Sequence, residues 1–231
     1  MALSVYLALT AWEYQNCASP PEYPAWMACH FSSYGNALSN IPEHFPTGGI
    51  LMVNDHIPPE DHDPQLIARQ LLQAAEAFSP KGVILDFQRP YQEKIRQIAQ
   101  SILSLLPCPV AVTEAYCQDW AGAIFLPPVP LGQKPEDYLQ KWQGKDIWLE
   151  VTKAGEQLTL TQDGCSRQPV NQLPGMPVFQ DDALFCHYST DVSEHKATFC
   201  LWQTDEDIAR MLEKVQSLGV STAVGLYQEF C

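Results

Sequence analysis

KGVILDFQRP, residues 81–90, carries the pattern that decides how this chain is read. Its apolar core is rich in Val, Ile, Leu and Phe, the composition of a strand buried on both faces of a parallel sheet. Side chains alternate along a strand, so Ile84, Asp86 and Gln88 share one face and Val83, Leu85 and Phe87 share the other. If the second face lies under helices, the first points into the interior of a barrel. Asp86 and Gln88 then stand at the C-terminal end of the strand, where barrel proteins assemble their sites. A carboxylate there is costly to bury without a partner, which marks Asp86 as a site candidate. The alternative is that it accepts hydrogen bonds from neighbouring loops and nothing more.

The surroundings extend the pattern. Further strands are expected at Val5 to Leu9, Ile50 to Val53, Val110 to Thr113, Gly122 to Leu126 and Ile147 to Val151, then at Ala183 to His187, Thr198 to Trp202 and Ser221 to Leu226. Asp63–Pro64 is an N-cap followed by proline at the first helical position, and Ile67, Leu71, Ala74 and Phe78 fall along one helical face. A second helix follows Pro90, with Ile95, Ile98, Ile102, Leu105 and Leu106 on its buried side. A third begins near Thr204, carries Ile208, Met211, Leu212 and Val215, and stops at Gly219. Glu156 to Thr161 alternates instead and ends at Asp163–Gly164, which predicts a hairpin. Strand and helix alternate across residues 50–113, the parallel βαβ order. No glycine-rich phosphate loop follows the first strand, which favours a compact (β/α)8 TIM-type barrel over an open doubly wound sheet. Residues 1–231 are read as one barrel domain, close to the roughly 250 residues typical of that fold.

Charge and cysteine content bound the function classes. Thirteen Lys and Arg against 27 Asp and Glu give a formal net charge of -14, a field that repels nucleic acid and anionic membranes. No run approaches the roughly 20 apolar residues needed to cross a bilayer. The apolar start, MALSVYLALT, lacks a basic residue and runs into Trp12 and Glu13, so it reads as a first strand rather than a signal peptide. The eight cysteines are dispersed and form no Cys-x-x-Cys pair, which points to free thiols and a cytoplasmic protein. The acidic run NDHIPPEDHD, residues 54–63, reads as a polar loop ending in a helix cap, so no metal and no cofactor are expected.

KGVILDFQRP resembles the fourth-strand signature of glycoside hydrolase family 18, the chitinase-like family, whose usual form is DGxDxDxE followed by an aromatic residue and proline. Gly82, Val83, Asp86, Phe87 and Pro90 match in register. Gly49 to Val53, the helix Asp63 to Phe78, Pro109 to Thr113 and residues 204–227 resemble the family's flanking strands and helices. The resemblance implies a family-18-like barrel, with Asp86 where the family orients the substrate's N-acetyl group. It also implies a defect. Gln88 stands in place of the general-acid Glu, and a neutral amide cannot donate the proton that step requires. The earlier acids of the pattern fall on Lys81 and Ile84, the Tyr-Asp pair of strand six falls near Leu126 and Pro127, and Tyr227 takes the place of a floor tryptophan.

The expected function is therefore binding of a carbohydrate or related small ligand with little or no hydrolysis. Asp86 and Gln88 sit at the reacting centre, and Trp12, Tyr14 and Tyr227 offer stacking faces for sugar rings. Tyr23, Trp26, Phe31 and Tyr34 fall where barrel loops form a cleft wall, and for Trp26 and Phe31 a place in the core is at least as well supported. A second reading keeps the barrel but hydrolyses a glycosidic bond with Glu114 or Glu229, carboxylates near strand ends, as is Glu150. A third is a structural or interaction protein with a vestigial cleft. The cysteine reading has a direct check: thiol titration in denaturant without reductant should count close to eight free groups, and two or more bridges would overturn it.

Overall fold

The apolar runs pair into a closed parallel ring in the computed structural model, which describes residues 3–170 and 178–231. In chain order the elements open with β1 (Val5–Leu9), α1 (Ala11–Asn16), β2 (Pro24–Phe31), β3 (Leu38–Ser39), β4 (Ile50–Asn54), α2 (Pro64–Phe78) and β5 (Gly82–Asp86). Next come α3 (Glu93–Leu105), β6 (Val110–Thr113), β7 (Ala123–Leu126), α4 (Pro135–Leu139) and β8 (Ile147–Val151). An excursion follows through β9 (Gly155–Thr161), β10 (Gly164–Val170), β11 (Phe179–Asp181), β12 (Cys186–Val192) and β13 (Lys196–Trp202). The chain then returns through α5 (Asp205–Ser217), β14 (Val220–Leu226) and α6 (Tyr227–Phe230).

Eight strands, in the order β1-β14-β8-β7-β6-β5-β4-β2, form the barrel, and it closes because β1 pairs with both β14 and β2. Every pairing around the ring is parallel. The expected TIM-type barrel is therefore present. Its outer layer is thinner than eight full helices: α2, α3 and α5 are long, whereas β2 is followed by the short antiparallel β3, and β6 by a single 3-10 turn.

Period-two alternation sorts the barrel side chains as expected. Ile84 packs inside with Ala8, Ala25, Ala111, Phe125 and Trp148. Val83, Leu85 and Phe87 lie outside, in one cluster with Ile67 and Leu71 of α2 and Ile98 and Ile102 of α3. α2 starts as the sequence requires, with the Asp63 carboxylate accepting from Gln65 N at 2.8 Å. α3 buries Ile95, Ile98 and Ile102, but Leu105 faces solvent at 36% exposure. The last turn rotates it away, while Leu106 beyond it packs inward.

Two sequence expectations need correcting. The stretch read as loop after the first strand contains β2, and of the two readings open for Trp26 and Phe31 the core one holds, since both pack under the helices. A register shift between Trp26 and Cys29 interrupts its alternation, which hides the strand from a period-two reading. The runs Ala183 to His187 and Thr198 to Trp202 are not barrel strands. β12 begins only at Cys186, and with β13 it belongs to a separate five-stranded antiparallel sheet in the order β10-β9-β13-β12-β11. The predicted hairpin is there as β9 and β10, turning at Asp163–Gly164.

The inserted sheet is bound to α5 through Asp207. This buried carboxylate completes the capping box with Thr204, accepts from Arg210 Nη2 at 2.7 Å, and meets His187 Nδ1 of β12 at 2.7 Å. Burial alone would raise its pKa, but the hydrogen bonds from Thr204, Arg210 and His187 outweigh that and hold it at about 2.

The barrel floor imposes a steric demand on residue 82. A Cβ there would stand 2.4 Å from Trp148 Cη2 and 2.7 Å from the Pro109 carbonyl oxygen. Gly82→Ala should therefore destabilise the protein by about 1–3 kcal/mol in denaturant unfolding, as overpacking does. An unchanged midpoint would show that the Trp148 packing is looser than described.

Candidate binding site at the barrel mouth

The alternation that buries Ile84 carries Asp86 to the mouth of the barrel. The same parity in β8 (IWLEV) places Trp148 in the interior and Glu150 above it. Asp86, Gln88 and Glu150 line one cavity of about 170 Å³, with Asn54, Met52 and Phe125 among its other walls. That is room for several waters or one sugar ring.

The loop that presents Gln88 is held from two sides. Asp55, buried at the end of β4, accepts from Gln88 N at 2.9 Å and from Arg89 N at 3.0 Å. Arg89 returns the contact, donating through Nε to the Asp55 carbonyl at 2.8 Å and through Nη2 to that of His56 at 2.9 Å. On the β6 side, Thr113 Oγ1 donates to the Phe87 carbonyl at 2.6 Å and Tyr116 Oη to that of Pro90 at 3.1 Å. With its backbone fixed in this way, Gln88 donates its amide Nε2 to Asp86 Oδ1 at 2.5 Å.

The cavity raises the pKa of both acids. Burial pushes Asp86 up and the nearby Asp55 charge adds to this, while the Gln88 hydrogen bond partly offsets it. Glu150 is pushed up to about 7, first by burial and then by the negative charges of Asp86 and Glu229.

The other sequence candidates stand elsewhere. Glu114 pairs with Lys141 Nζ at 2.7 Å and borders a separate groove of about 440 Å³ between the barrel loops and the inserted sheet. Glu229 of α6 accepts from Thr152 Oγ1 at 2.8 Å and Lys153 N at 2.7 Å, tying the end of the barrel to the start of the insertion. Trp12 is exposed on α1, and Tyr14 packs edge-on against Trp26 and tilted against Phe45 outside the barrel. Tyr227 lies half-buried just past β14, whereas Gly225 and Leu226 are the β14 residues nearest it that line the cavity. Sequence reasoning noted Glu150 without singling it out. The signal was present, since Glu150 has the same parity relative to Trp148 as Asp86 has to Ile84. In the acidic run 54–63, Asp55 grips backbone and Asp63 caps α2, and no group of three metal-ligating side chains occurs among the described residues.

The closed parallel barrel is similar in fold to those of several solved structures, a family-18 chitinase among them. A structure of the spore cortex-lytic enzyme SleL from Bacillus cereus matches 96% of this chain and 70% of its own, with TM-score 0.60 at 12% identity. A chitinase from Chromobacterium violaceum matches 96% of this chain and 93% of its own, with TM-score 0.58 at 10% identity. A family-18 chitinase from Cycas revoluta, solved as a double mutant in complex with (GlcNAc)4, covers 97% and 94% respectively, with TM-score 0.57 at 9% identity. No protein-family model matches the chain, and no curated protein does.

The raised Glu150 pKa has a consequence for stability. Its value in the fold, about 7, exceeds its ordinary 4.5, so between those pH values the folded state binds more protons than the unfolded one. Stability should then fall as pH rises through this window, with the full penalty present above about 7. Discounted for solvent reaching the half-buried group, the cost at pH 8 is on the order of 2–3 kcal/mol. Glu150→Gln should thus be more stable than wild type at pH 8 and close to it at pH 4, by urea unfolding. A variant less stable at pH 8 would contradict the assignment.

Proposed function

We propose that the barrel mouth binds carbohydrate and hydrolyses it little or not at all. The observation that carries this reading is the Gln88 amide at the end of β5, donating to Asp86 over the cavity. Family-18 resemblance puts the proton donor at that position, and general-acid help is worth about 10² to 10⁴ in rate. An amide supplies a hydrogen bond there and no proton. Support for the binding half comes from the Cycas revoluta structure, a mutant with a glutamine in place of a glutamate that holds (GlcNAc)4. The positions where the resemblance places the Tyr-Asp pair carry Leu126, buried on the outer side of the barrel, and Pro127, which borders the outer groove. Restoring the acid alone therefore leaves the machinery incomplete.

The hydrolytic alternative has one observation in its favour, the Glu150 carboxyl held near neutral pH inside the same cavity. Glu114 and Glu229 lack that placement. A single set of assays separates the readings. Wild type should show no measurable turnover of aryl chito-oligosaccharides, and Gln88→Glu little. Asp86→Ala should weaken binding of N-acetylglucosamine oligomers by about tenfold to a hundredfold, the worth of a hydrogen bond to a charged group. Robust wild-type hydrolysis abolished by Glu150→Gln would replace the binding reading with the enzymatic one.

A further inference from the structure

The carboxylates of Asp86 and Glu150 face the cavity without a cation of their own. No Lys, Arg or His lines it among the described residues. Arg89, the arginine nearest in sequence to Asp86, is committed to the carbonyls of Asp55 and His56, while Lys141 pairs with Glu114 and Lys153 with Asp205. Asp86 has the Gln88 amide, and Glu150 has neither a hydrogen bond nor an ion pair among the described residues. Around them stand Met27, Met52, Phe125 and Val224, apolar walls that strengthen any charge interaction in the cavity. Two acids held in such surroundings cost the folded protein free energy. A proton relieves part of that cost at Glu150, and a cation brought by a ligand would relieve it at both acids.

We infer that the cavity selects a glycan carrying a free amino group, whose ammonium sits between the Asp86 and Glu150 carboxylates. The inference rests on the carbohydrate reading and names the sugar class for that same site. An ammonium is a compact donor of three hydrogen bonds and can serve both carboxylates at once. A metal ion fits less well, because no third His, Cys or acid converges on the pair among the described residues. The chain as a whole favours the same ligand, since a net charge of -14 draws cations toward it and concentrates them at an acidic opening. Acetylation would remove the ligand's charge and put a bulkier amide against Glu150, so the free amine is preferred over the N-acetyl form.

Isothermal titration calorimetry with glucosamine tetramer and N-acetylglucosamine tetramer, near neutral pH and at low salt, tests this. Wild type should bind the glucosamine tetramer at least about tenfold more tightly, the lower worth of a charge-assisted hydrogen bond. Glu150→Gln should still bind the N-acetylated tetramer and lose the preference. Equal or weaker wild-type affinity for the amino form overturns the inference and leaves the carbohydrate reading intact. Binding of neither oligomer by folded protein overturns both. A preference that survives undiminished in Glu150→Gln also overturns it, because attraction to the acidic surface alone would then account for the difference.

Discussion

In a closed barrel every second side chain from eight strands must share one interior, and that constraint governs the rest of this molecule. The interior is filled by contrast in size: Ala8, Ala25, Ala111 and Ala123 leave the space that Trp148 and Phe125 occupy. Trp148 reaches so far across the floor that residue 82 has no room for a side chain. Once Ile84 and Trp148 are committed inward, strand geometry leaves no choice about the next residues of the same parity. Asp86 and Glu150 must rise together at the mouth. The site is thus a consequence of how the core is packed beneath it.

That link explains what the sequence disclosed and what it did not. The β5 segment was legible because it is short, continuous and regular, and its parity assigns Ile84 and Asp86 to one face without reference to anything else. β2 was not, because a register shift breaks its alternation and its aromatic residues resemble those of a cleft wall. The inserted sheet was mistaken for barrel strands at β12 and β13, since an apolar run does not reveal whether its partners are parallel or antiparallel. Aromatic residues were poor guides to the site for a related reason. Trp12, Tyr14 and Tyr227 offer suitable faces, but the sequence does not say which way a residue beyond the strand end will turn. Parity within a strand does, and it would have ranked Glu150 above Glu114 and Glu229.

The electrostatics of the mouth differ from those of the rest of the protein. Asp55 and Asp207 are also buried, yet each is satisfied by backbone or side-chain donors, and each does structural work: one shapes the Gln88 loop, the other joins the inserted sheet to α5. Asp86 and Glu150 are held at raised pKa in a cavity with no basic residue in its lining among the described residues. Such a pair is the structure's strongest candidate for the proposed binding role, since no comparable structural contact accounts for it. The Gln88 amide donates to Asp86 beside it, and on the proposed binding reading it supplies a hydrogen bond where the family resemblance expects a proton donor.

The central claim is that an intact glycan occupies the mouth of this barrel over Asp86 and Gln88. A crystal structure of the wild-type protein grown with N-acetylglucosamine tetramer tests it most directly. The account predicts an uncleaved oligosaccharide with one ring in the cavity between β5 and β8, in hydrogen-bond contact with Asp86 and the Gln88 amide. A cleaved oligosaccharide, or one lodged in the outer groove beside Glu114 with the mouth empty, would contradict it.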